Sequence, residues 1–144
     1  MPISPVNPAQ SVVIISARAG AFSTVRDALA RGVILDSNTL RVFRGSGSTN
    51  VTQFTAQIIE FDNSYEVISL SQSNVATEAN IDIGRTIDPT KTLLFGSVSC
   101  DSTSQSLEYG IFRFQFWNSN TQVRVDRARS SGTATVQIYL VILP

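Results

Sequence analysis

Two stretches of this chain read almost as one strand written twice. Thr133–Leu143 is T-A-T-V-Q-I-Y-L-V-I-L, and Val51–Phe61 is V-T-Q-F-T-A-Q-I-I-E-F. Both begin by alternating small polar with apolar residues and end in a nearly continuous apolar run. Alternation marks a half-buried strand, and a short continuous run marks one covered on both faces. A Ser/Gly-rich turn precedes each: Gly45-Ser46-Gly47-Ser48 in one case, Ser130-Ser131-Gly132 in the other. A sequence that repeats its longest strand is constrained towards a duplicated β-fold.

The composition agrees. Of 144 residues, 42% are apolar and only 15% charged, against roughly 25% charged in ordinary globular proteins. Ser, Thr, Asn and Gln fill the difference, and Val and Ile lead the apolar set. These are strand and turn formers rather than helix formers. The length suits one ordinary domain or two very small ones.

Along the chain, Met1–Pro8 (M-P-I-S-P-V-N-P) is too rich in proline for a helix and reads as an extended arm. Ser11–Ser16 is a buried strand. Phe22–Arg31 is the one helical candidate, with Phe22, Val25 and Leu29 on one face and Ser23 or Thr24 as cap. Its length is marginal for an isolated helix, and a loop with one or two turns is the alternative. Gly32–Asp36 and Leu40–Arg44 form a hairpin around Asp36-Ser37-Asn38-Thr39. Val51–Phe61 leads through Asp62-Asn63-Ser64 into a strand over Tyr65–Leu70. Ser71–Ala79 reads as polar loop and Asn80–Ile87 as an alternating strand. Lys91–Ser99, Ile111–Trp117, Gln122–Asp126 and Thr133–Leu143 follow as strands. In Ile111–Trp117 the three residues Phe112, Phe114 and Phe116 share one face and Trp117 lies on the other.

The two halves align. Val6–Val13 matches Ile87–Leu94, so that Asn7-Pro8 falls on Asp88-Pro89. Ser37-Asn38-Thr39 matches Ser119-Asn120-Thr121, and Arg41-Val42 with Arg44 matches Arg124-Val125 with Arg127. Phe54, Ala56 and Ile58 match Val136, Ile138 and Leu140. The expected architecture is therefore all-β: an antiparallel β-sandwich, jelly-roll-like, internally duplicated and with little helix. The first repeat spans residues 1–66 with the Pro-rich arm (1–8), and the second spans 67–144. The strand at Asn80–Ile87 has no counterpart in the first repeat. Either the arm or a strand from a neighbouring subunit is expected to fill that gap.

The residue inventory argues against catalysis. There is no His and a single Cys, Cys100. That removes Cys/His metal sites, Ser–His pairs, a base for a Cys nucleophile and any internal disulfide. The acids are scattered and match no Ca²⁺ loop. Gly45-Ser46-Gly47-Ser48 lacks the Lys and the helix that a phosphate loop requires. We expect no catalytic, cofactor-binding or metal-binding residue and no enzyme activity. Net charge is zero without a basic stripe, which argues against nucleic acid. No apolar run approaches the ~20 residues of a membrane span, and no secretory signal is visible, so cytoplasmic synthesis is expected. The cations are ten Arg and one Lys, a skew compatible with interface use.

The repeated unit has a recognisable order. Asn7-Pro8 or Asp88-Pro89 leads into an apolar strand, a hairpin carries Arg41-Val42 or Arg124-Val125, and Gln57–Phe61 or Tyr139–Leu143 closes a long strand. This resembles repeats in virion proteins of tailed bacteriophages, both capsid decoration proteins and tail-fibre segments. It is similar in strand order to the six-stranded H-type lectin sandwich, which assembles as trimers. The resemblance implies a structural virion protein, made in the host cytoplasm and located in the particle. Its first form is a capsid decoration (cement) protein that holds the major capsid protein or another virion protein. The alternative is a tail-fibre or baseplate module that binds host glycans.

The candidate contact residues follow from exposure arguments. In the last strand Val136, Ile138, Leu140 and Ile142 share one face and fill a core. Tyr139, Val141 and Leu143 share the other, which also needs cover, and a homotrimer is the expected provider. The arm offers Ile3, Pro5 and Val6. Trp117 offers an aromatic surface, for a partner or for a sugar. Arg124, Arg127 and Arg129 form a basic cluster that is either a solvated turn paired to Asp126 or a docking point for an acidic partner.

Overall fold

The computed structural model describes residues 1–19, 24–45, 52–104, 106, 109–129 and 132–144. Strand order is β1 (Ser11–Ala19), β2 (Ala30–Asp36), β3 (Thr39–Arg44), β4 (Thr52–Glu60), β5 (Glu66–Val75), β6 (Glu78–Asp82), β7 (Thr92–Cys100), β8 (Phe112–Trp117), β9 (Gln122–Arg127) and β10 (Ala134–Ile142). One helical turn, α1 (Val25–Ala28), lies between β1 and β2. All pairing is antiparallel, in four sheets ordered β1-β4, β2-β3, β5-β10-β7 and β6-β9-β8. The fold is all-β and sandwich-like.

The internal match of the sequence is a match of structure. Both repeats begin with the same three-residue 3₁₀ turn, Pro8–Gln10 and Pro89–Lys91. The Asn7 side chain accepts from the Ala9 amide at 3.1 Å, and the Asp88 side chain accepts from that of Thr90 at 2.9 Å. Four residues on from the cap, Ser11 Oγ and Thr92 Oγ1 donate back to the Asn7 and Asp88 carbonyls, both at 2.7 Å. Proline, with φ fixed and no amide to satisfy, suits the first position of such a turn. β1 then pairs with β4 as β7 pairs with β10, and β2–β3 mirrors β8–β9.

The second repeat is a closed sandwich. Sheet β5-β10-β7 faces sheet β6-β9-β8 across a core of Val75, Ile81, Val98, Val123, Val125, Val136, Ile138 and Leu140, with Phe112, Phe114 and Phe116 packed against it. The phenylalanine face of β8 is thus core, as its alternation predicts. A second core forms where Val12, Val13 and Leu40 of the first repeat meet Tyr139 and Val141 of β10. β10 is therefore covered on both faces, which explains its continuous apolar ending.

Three expectations change, and a fourth resolves to one of its two forms. The second face of Thr133–Leu143 is sealed by the first repeat of the same chain: Tyr139 is 4% exposed and Val141 0%. Neither can contact a partner, and the argument for a trimer built on that face falls. Ser71–Ala79 is not a loop, since β5 runs through Ser71-Gln72-Ser73-Asn74 and stays paired with β10, with a register shift between Gln72 and Val75 where Asn74 takes φ 60°. An edge strand beside an apolar neighbour takes its stability from backbone ladder bonds, so polar side chains do not end it. Here one of them also helps, because Ser71 Oγ donates to Val136 O at 3.2 Å. The strand expected at Asn80–Ile87 is β6, two residues earlier and ending at Asp82. Gly84 turns the chain away at φ 82°, its amide donating to Asp82 Oδ1, and Ile83 and Ile87 remain buried. The helical candidate takes its shorter form, one turn started by Thr24, whose amide and hydroxyl both donate to Asp27 Oδ2. Ala30 onward joins β2, because one turn gains less than a strand pairing. Phe22 and Ser23, the turns at 46–48 and 130–131, and Val51 lie outside the described residues.

Candidate assembly surfaces

The Pro-rich arm is folded onto its own chain. The Met1 amino group donates to the Leu40 carbonyl at 3.0 Å, and the Leu40 amide returns to Met1 O at 3.1 Å. The Ile3 amide donates to Asn38 O and the Val6 amide to Ser37 O, both at 2.9 Å. In the second repeat the Ile83 amide donates to Thr121 O and the Ile87 amide to Asn120 O, while Ile81 pairs with Val123. Met1, Ile3 and Val6 therefore stand along β3 where Ile81, Ile83 and Ile87 stand along β9. Of the two fillers expected for the gap, the arm takes it. Ile3 is half-buried and packs against the second core, Val6 is half-buried, and Pro5 is exposed.

The outer face of β6-β9-β8 carries an ordered patch. Arg113 reaches across to Asp126 with both ends of its fork, Nε to Oδ1 at 3.1 Å and an Nη to Oδ2 at 2.9 Å. Arg124 donates to Glu78 Oε2 at 2.6 Å, and its Nε lies 3.3 Å from Asp126 Oδ2. The Arg113 hydrogen bond, ahead of the charges of Arg113 and Arg124, holds the Asp126 carboxyl below the ordinary carboxylate value. Its stabilising contribution is therefore present at neutral pH and is lost as pH falls through that lowered value. Trp117 is 43% exposed, but the Arg124 guanidinium sits 4.6 Å over its ring. The first repeat repeats the theme, with Arg31 and Arg41 over Phe43 at 4.2 and 4.7 Å.

Arg127 is not part of a surface cluster. It is 6% exposed. Its Nε donates to Ala76 O at 2.6 Å and one Nη to Gly132 O at 2.6 Å. The other Nη donates to Tyr109 O at 3.0 Å and to Cys100 Sγ at 3.3 Å, and the group stacks on Phe112. The side chain ties together four segments, a role for the rigid fork of Arg that a docking residue could not share. Its burial corrects the expectation of a partner contact. Arg124 is paired within its own sheet, as the Asp126 reading expected, and Arg129 is exposed. Leu143 is half-buried, with its amide donating to Lys91 O at 2.8 Å.

Cys100 is buried. Burial pushes the Tyr139 hydroxyl up to about 12, against a smaller lowering by Arg31. Two concavities stand out. One, of about 560 Å³, lies beside Asn7, Gln10, Glu60 and Asn63 at the ends of β1 and β4. The other, about 220 Å³, lies where Ile15, Leu29, Gly96 and Phe114 meet between the repeats. Among the described residues no three His, Cys, Asp or Glu side chains gather to hold a metal, and no helix is long and apolar enough to cross a membrane.

The sequence pointed to Trp117, Arg124 and the arm, and all three are at or near the surface. It missed the free edge of β4. That edge is visible only once the repeats are superposed: β10 has strands on both sides, while β4, among the described residues, has only β1. Comparison with protein-family models, curated proteins and solved structures found no match.

Proposed function

We propose that this chain is a structural, non-catalytic component of a tailed-phage particle, acting as a self-associating capsid decoration protein on the outside of the shell. The observation that carries the assembly part is the asymmetry between the repeats. Phe54 and Ile59 of β4 are 37% and 38% exposed, while their counterparts Val136 and Val141 are each 0%. An apolar strand left open in one copy of a fold and sealed in the other is a surface suited to a partner. The particle location rests on the resemblance of the duplicated unit to virion repeats. Binding to the assembled shell, and not to its loosened form, would stabilise the shell by mass action.

The glycan-binding alternative draws no comparable support. The Trp117 face that would stack on a sugar is occupied by Arg124. Mass photometry of the purified protein, alone and with capsids that lack it, tests the reading. Saturation of the capsids at a fixed stoichiometry is expected. A protein that ignores capsids contradicts it.

A further inference from the structure

The second repeat shows what the first one lacks. Along β10 the chain lays β5 antiparallel, in one register from Ile142 opposite Glu66 to Val136 opposite Gln72 and, after a one-residue shift, with Ala134 opposite Val75. Along β4 the matching edge carries no strand among the described residues. The consequence is visible on both faces: Phe54 on the inner face and Ile59 on the outer are the exposed members of pairs whose β10 counterparts are fully buried.

Edge strands are usually guarded by Lys, Pro, a bulge or shortness. β4 has none of these. It is nine residues long and pairs with β1 without a register break from Thr52 to Glu60. Thr52–Ile59 contains no charged residue and no proline, and the one charge of the strand is Glu60 at its end.

We propose that β4 pairs antiparallel with β4 of a second copy across a two-fold axis at Ala56, giving a continuous sheet β1-β4-β4-β1. This rests on the self-association part of the reading above and not on the shell. A second copy is favoured because the strand is complementary to itself in that register. Phe54 falls opposite Ile58 of the partner copy, which extends the inner apolar face. Thr55 falls opposite Gln57, two polar residues that β4 exposes. Glu60 falls opposite Thr52, so the two carboxylates stand at far ends of the ribbon, roughly 27 Å apart at ~3.4 Å per residue. A two-fold contact of this kind is isologous and closed, so it gives dimers and not fibres.

Two exposed positions test it without touching the core. Thr55→Lys with Gln57→Lys sets like charges face to face in both copies. Thr55→Lys with Gln57→Glu sets opposite charges face to face. Sedimentation velocity of the intact protein should show a dimer, weakened roughly tenfold or more by the Lys/Lys pair and kept by the Lys/Glu pair. Mixing a Thr55→Cys copy with a Gln57→Cys copy should give the cross-linked heterodimer in preference to either homodimer. A parent that stays monomeric at its highest workable concentration overturns the proposal. So does equal self-association of the parent and both double variants, or equal weakening by both pairs. Capsid binding by the Lys/Lys variant is read separately: if it persists, the shell reading stands whether or not the strand pairing does.

Discussion

Arg127 shows how far a side chain's role can lie from its sequence context. It sits in a basic run beside a polar turn, where solvent exposure is the expectation. Its guanidinium instead donates to three backbone carbonyls from three segments. Removing it strands those carbonyls, and each costs on the order of 1 kcal/mol if water does not reach it. Arg127→Ala should lower stability by about 3 kcal/mol, and Arg127→Lys should recover little, because one ammonium cannot serve three separated acceptors. Urea unfolding midpoints check both; a Lys variant as stable as the parent contradicts the assignment. Tyr139 makes the same point for aromatic residues: it is a core residue at the junction of the repeats, its hydroxyl 3.5 Å from Gly32 O.

At the scale of elements, the repeats solve one packing problem in opposite ways. In the first, Ile15 of β1 lies over Gly32 of β2, and a Cβ at Gly32 would stand 2.7 Å from Ile15 Cγ1. In the second, the large residue has changed strands: Phe114 of β8 lies over Gly96 of β7, and a Cβ at Gly96 would stand 2.6 Å from Phe114 Cζ. Ile15 and Gly96 occupy matching places, as do Gly32 and Phe114. Each glycine is there to admit the opposing side chain. Gly32→Ala and Gly96→Ala should each cost about 1–3 kcal/mol by overpacking, and Phe114→Leu should relieve part of the Gly96→Ala loss. Thermal melts of the single and double variants measure this, and additive losses would count against it.

The elements also show what the sequence could reveal. Strands with strong alternation, such as β8, or with a long apolar run, such as β10, were legible because burial imposes period and composition together. The first half of β5 was legible as the strand over Tyr65–Leu70, but its polar second half, Ser71–Val75, was not, because an edge strand is held by backbone bonds that leave no mark on side-chain type. For Phe22–Arg31 the shorter of the two expected forms is found, because three apolar residues at helical spacing suit one turn followed by a strand as well as a full helix.

For the whole molecule, the duplication was readable and the asymmetry was not. The matched Asn/Asp-Pro turns, the hairpin Arg-Val pairs and the twin long strands mark the repeat in the sequence. Nothing in those motifs says that the second repeat keeps β5 for itself, or that the first folds against the back of β10. Those facts arise from contacts between distant segments, such as Val12 and Leu40 against Val141. They bear on the proposed assembly surface, which moves from the back of β10 to the edge of β4. Hydrogen exchange, followed strand by strand as the protein is diluted, tests this most directly. β10 should exchange at the slowest rate at every concentration, while β4 should be protected in concentrated protein and lose much of that protection on dilution. Protection of β4 equal to that of β10 in the most dilute sample would show that its edge is already covered within the chain, and would contradict the account.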